Sequence, residues 1–76
     1  MNVPTLKTQR ILGERIHALV EDGYLLKFIY KAPTSQFTKL VHRSNGNVIT
    51  ILANVITDHM TQKTNGKVTY TGKITA

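Results

Sequence analysis

Between Thr8 and Asp22 the apolar residues Leu12, Ile16, Leu19 and Val20 recur at i, i+4, i+7 and i+8, the spacing that places side chains on one stripe of an α-helix. The spacing predicts a helix over 8–22 whose stripe faces a core. Thr8 is placed to cap it, its hydroxyl accepting a backbone N–H that the first turn leaves unpartnered, and Gly23 suits the left-handed residue that ends a helix. Gly13 weakens the helix by about 1 kcal/mol relative to alanine. Glu21 and Asp22 lie at the end where the helix dipole disfavours anions, so they are expected to face lysines elsewhere.

After Gly23 the residues become β-branched and aromatic and the period changes to 2. Residues 24–31 read as a first strand with Leu26, Phe28 and Tyr30 on one face, broken by Ala32-Pro33-Thr34-Ser35. Residues 37–44 form the second strand. Asn45-Gly46 then predicts a two-residue type I′ hairpin, because both positions need positive φ, and residues 47–56 return as the third strand. The fourth and fifth strands are expected at 59–64 and 67–74, joined by a second Asn-Gly at Asn65-Gly66 whose surroundings match those of the first. Regular strand-plus-turn units give such a match without any duplication. The fold class is therefore α+β: an N-terminal amphipathic helix (8–22) packed on a twisted antiparallel meander of four to five strands (24–74), one domain over 1–76.

A two-residue loop at Asn45-Gly46 sets Leu40 opposite Ile51, His42 opposite Ile49 and Thr38 opposite Ala53. That face is apolar and should receive the helix. The other carries Phe37, Lys39, Val41 and Arg43 against Asn54, Leu52, Thr50 and Val48, and is mixed and basic. In the last hairpin Val68 and Tyr70 fall opposite Lys63 and Thr61, while Met60 and Gln62 share a face with Thr69 and Thr71, so neither side is purely apolar. Such ambivalence suits an edge ribbon or a strand that pairs with a second chain.

Charge sharpens this picture. The chain has 76 residues, 10 Lys plus Arg, 4 Asp plus Glu and a net charge of +6. In residues 1–22, Lys7, Arg10 and Arg15 are balanced by Glu14, Glu21 and Asp22, so the whole surplus lies in the strands, which face Asp58 alone. A chain this short buries only about 60% of its exposable surface, which favours association. The absence of cysteine excludes a disulfide framework and thiolate zinc sites. The start lacks the basic and apolar regions of a signal peptide, and the longest uncharged apolar stretch, 48–57, is about half a membrane span. A soluble, cytoplasmic protein that does not engage membranes is expected.

For catalysis, His17, His42, His59, Glu14, Glu21, Asp22 and Asp58 are a thin inventory. His42 sits on the apolar face, where a hydrogen-bonded structural role is the ordinary explanation. Asp58-His59 on a strand points to opposite faces and does not converge on a metal. No phosphate-binding glycine loop, nucleophile elbow or His-Glu-x-x-His motif occurs. The reading is a non-enzyme without metal or cofactor.

Lys39 and Arg43, on the same strand face as Phe37 and near Thr50, combine cations for phosphate with a ring for a base and a hydroxyl, a set that suits single-stranded nucleic acid. Lys67, Thr69, Thr71 and Lys73 form a similar row on the last strand, and Lys27 and Lys31 repeat the spacing on the first beside Leu25 and Ile29. Strand lysines also deter edge-to-edge aggregation and threonine is a common strand former. With one helix, a helix-turn-helix lacks its partner. The sequence is read as a small basic nucleic-acid-binding accessory protein. The alternative is a protein-interaction or homo-oligomeric assembly module with an acidic partner, using the last hairpin as its binding edge.

Overall fold

The computed structural model describes residues 6–74, with helix side chains from Gln9 onward. The elements run α1 (Leu6–Glu21), β1 (Tyr24–Lys31), β2 (Ser35–His42), β3 (Val48–Asn54), β4 (His59–Thr64) and β5 (Lys67–Lys73). The strands hydrogen-bond in chain order as an open antiparallel sheet of five, so the α+β class, the N-terminal helix and the meander read from periodicity are the observed architecture. Among the described residues no helix is long and apolar enough to cross a membrane.

The helix begins earlier than the spacing suggested. Thr8 falls inside α1 instead of capping it. The stripe is also rotated: Ile11 and Leu12 are buried, Ile16 and Leu19 pack partly against the core, and Val20 is 44% exposed. Arg15 lies within this stripe. Its guanidinium carbon sits 5.3 Å from the centre of the Tyr70 ring, and one terminal N–H donates to Gln62 Oε1 at 3.4 Å. The helix is thereby tied to β4 and β5. Removing the side chain as Arg15→Ala should cost about 1 kcal/mol through lost cation–π contact and stem packing, read as a lower urea midpoint. Glu21 meets His17 one turn back at 3.0 Å, where a lysine partner was expected.

Gly23 ends the helix as its position implied. Its φ is +106°, its N–H donates to Val20 O at 3.1 Å, and its carbonyl accepts from Arg43 N–H at 3.0 Å. His42 closes over this junction. Its Nε2 lies 3.0 Å from Asp22 O, while Nδ1 lies 3.2 Å from Ser44 N. A backbone N–H can only donate and a carbonyl can only accept, so Nδ1 is the acceptor and Nε2 carries the proton. The ring also meets Tyr24 edge to face at 4.7 Å. His42 is thus a structural clamp between helix end, β1 and β2.

The first hairpin departs from the expected register. Leu40 pairs with Ile49, Thr38 with Ile51 and Gln36 with Ala53, a slip of two residues from the two-residue-loop pairing. The turn is longer: His42 N donates to Asn47 O at 2.8 Å, Gly46 has φ +75°, and Asn45 is not in the positive-φ region but accepts Asn47 N–H on its side chain at 2.9 Å. Because strand side chains alternate, a slip of two leaves every residue on its expected face. Asn65-Gly66, in contrast, is the two-residue turn expected of Asn-Gly, with φ +52° and +83°. Asn65 Oδ1 accepts Val48 N–H at 2.8 Å and its amide donates to Asn47 Oδ1 at 3.0 Å, joining the two turns. Asn65→Ala should therefore cost about 2 kcal/mol, from left-handed strain plus lost hydrogen bonds, and Asn45→Ala about 0.5 kcal/mol. Parallel thermal melts of the two variants check the difference.

Two bulges decide which residues face the helix. In β1 the pairing shifts between Leu26 and Phe28, leaving Lys27 unpaired, so Leu26 pairs with Leu40 on the helix side while Phe28 and Tyr30 pair with Lys39 and Phe37 on the other. The expected common face for Leu26, Phe28 and Tyr30 is thus broken. In β5 the shift places Tyr70 opposite Gln62 and Thr71 opposite Thr61, with Thr69 unpaired. Tyr70 turns toward the helix and Val68 away from it, which resolves the ambivalence of the last hairpin. The core between helix and sheet is Ile11, Leu12, Leu40, Ile49, Ile51, Ala53 and Met60, closed at the ends by Tyr24, Val55 and Ile74. Thr38, 1% exposed, is buried among them.

Candidate nucleic-acid interface

Among the described residues, no element covers the face of the sheet opposite the helix. Strand pairing arranges it in rows that cross the sheet. One row runs Phe28, Lys39, Thr50, Lys63, Val68; the next runs Tyr30, Phe37, Leu52, Thr61, Thr71. Leu25, Val41 and Val48 form a third toward one end, and Ser35, Asn54, His59 and Lys73 a fourth toward the other.

The two halves of this face differ. On β1 and β2 it is aromatic and aliphatic, with Phe28 47% and Tyr30 65% exposed and the Phe28 and Phe37 rings 5.9 Å apart at 33°. On β3 to β5 it carries Thr50, Thr61, Thr71, Lys63 and Lys73 beside the aliphatic Leu52 and Val68, and Lys39 adds a cation from β2. Lys39 and Lys63 flank Thr50 on strands two spacings apart, about 9.6 Å between backbones. None of the strands contains an Asp or Glu, so no strand carboxylate neutralises these lysines. Between the halves lies a depression of about 300 Å³ lined by Phe37, Thr50, Leu52, Thr61 and Lys63.

Of the residues singled out from sequence, Phe37, Lys39, Thr50 and Lys73 take the outer face, Lys73 at its far corner. Arg43 does not lie on the strand: β2 ends at His42 and Arg43 stands exposed in the turn. Lys67 pairs with Thr64, the partner of buried Ile49, and so takes the helix-side parity; the bulge at Thr69 separates it from Lys73 and breaks the expected row. Lys27 is the unpaired residue of the β1 bulge, and Lys31 pairs with Gln36 on the helix-side parity. The bulge likewise separates Leu25, which faces outward, from Ile29, which pairs with Thr38.

Phe28, Tyr30 and Lys63 belong to the surface and were not singled out. Lys63 was legible from its pairing across Asn65-Gly66; Phe28 and Tyr30 were visible as aromatic residues, but their side depends on the bulge. The histidines are scattered: His17 is on the exposed helix face, His42 in the clamp, and His59 in the outermost row. No family model, curated protein or solved structure matches the chain.

Proposed function

We propose that this protein is a non-enzymatic binder of single-stranded nucleic acid, DNA or RNA, that holds its ligand on the outer face of the sheet. The observation that carries this is the Phe28–Phe37 pair beside Lys39 and Lys63 on strands without carboxylates. Rings offer stacking surface to unpaired bases, and ammonium groups offer charge to the phosphates between them. In a duplex the bases already stack on each other, so the rings have nothing to receive and the single strand is preferred. The net charge of +6 adds long-range attraction.

Fluorescence anisotropy of a labelled oligothymidylate at two salt concentrations tests this. Binding should be at least about tenfold tighter than to a duplex of the same length, and should weaken as salt rises with a slope of about −0.7 per phosphate neutralised. Lys39→Gln with Lys63→Gln should reduce that slope by about 1.4. No binding at low salt to DNA or RNA would sink the proposal.

The assembly reading has its own support in Leu25, Leu52 and Val68, each about half exposed on the same face. A second copy laid on this face would cover them. A mass that stays monomeric as concentration rises counts against it.

A further inference from the structure

We propose that the depression between Phe37, Thr50, Leu52, Thr61 and Lys63 is a subsite for one unstacked base, with phosphates on either side of that nucleotide held by Lys39 and Lys63. The inference rests on the single-strand reading above and assigns one position within it.

The depression, at about 300 Å³, is at the small end of ligand-binding cavities. Its lining is chemically mixed. Phe37 and Leu52 give apolar surface to the flat faces of a base. Thr61 exchanges a hydrogen bond with Thr71 at 3.3 Å, and Thr50, between Lys39 and Lys63, adds a second hydroxyl to the lining to meet the base's polar edge. An apolar side chain of a partner protein would fill the same volume while stripping water from Thr50 and Lys63 without replacing their hydrogen bonds, which is costly. A nucleotide satisfies both groups, because it brings a polar edge and a phosphate together with its apolar faces.

Placement along the strand supports the same occupant. Thr50 lies between Lys39 and Lys63 in one row, so a base over Thr50 has an ammonium on each side for its flanking phosphates. The neighbouring base then reaches the Phe28–Phe37 pair on β1 and β2. The ligand thus crosses the strands instead of following one of them.

The test uses the full chain and a set of oligothymidylates of about four nucleotides, intact or with one base removed at each position in turn, a length that leaves few alternative registers. One interior position should be privileged: removing its base should weaken binding about tenfold more than removing a terminal one. Thr50→Leu, which fills the depression, should weaken the intact oligonucleotide by about the same factor and abolish the privilege. If binding is retained, equal losses at every position, or an unchanged positional pattern in Thr50→Leu, would overturn the subsite while leaving the single-strand reading standing. No binding of the intact oligonucleotide to the unmodified protein would overturn both.

Discussion

Replacing Phe28 and Phe37 together by alanine should lower the affinity for a single-stranded oligonucleotide about a hundredfold, since each base–aromatic stack contributes roughly 1–3 kcal/mol. The effect is expected on binding far more than on folding. Both rings lie on the outer face, and Phe28 is 47% exposed, so truncation leaves no cavity in the helix–sheet core. The folding cost is their mutual contact at 5.9 Å, about 1 kcal/mol. Anisotropy and urea denaturation on the same sample separate the two quantities. An unchanged affinity would remove the aromatic pair from the interface; a collapse of stability would show that the pair belongs to the core.

The largest expected effect on folding is at Gly23. A Cβ there would lie 2.8 Å from His42 Nε2, inside van der Waals contact, and the backbone at φ +106° is one that a side chain rarely adopts. Gly23→Ala should destabilise by about 3 kcal/mol, as strain and the displacement of His42 add. That is a large fraction of the roughly 4–11 kcal/mol that holds a chain of this length folded. Most of the penalty should be local. In a His42→Ala background the same substitution should cost only the backbone strain, about 1–2 kcal/mol, because the ring it strikes is gone. Equal costs in both backgrounds would contradict the clamp.

Leu40, Ile49 and Ile51 were placed on the correct face even though the hairpin register slipped, because the slip was even and the alternation survives it. Gly23 and Asn65-Gly66 match the sequence reading because their positive φ is a local backbone requirement that residue type signals directly. Asn45-Gly46 departs from the two-residue reading: the turn closes between His42 and Asn47, and Asn47 also accepts from Asn65, in a turn far away in sequence.

The bulges at Lys27 and Thr69 escape any period-2 reading. Each moves the residues beyond it to the opposite face, which is why Lys27, Lys31 and Lys67 were assigned to a surface they do not share. Arg15 escaped for another reason. A charged residue in an apolar stripe reads as an interruption until its stacking partner, Tyr70, is brought across by the β5 bulge. The cationic surplus was legible, but its distribution was not. Of the cations named from sequence, Lys39 and Lys73 reach the outer face, and Lys63 supplies the second central charge.

The central claim is that the outer face of the sheet, and not the helix, is the ligand surface. Methyl NMR shifts during titration with an oligothymidylate test it most directly. The methyls of Leu25, Val41, Leu52 and Val68 should move in proportion to occupancy, while those of Leu12, Ile16 and Leu19 on the helix stay in place. Shifts concentrated on the helix-side methyls, with the outer face silent, would contradict the account.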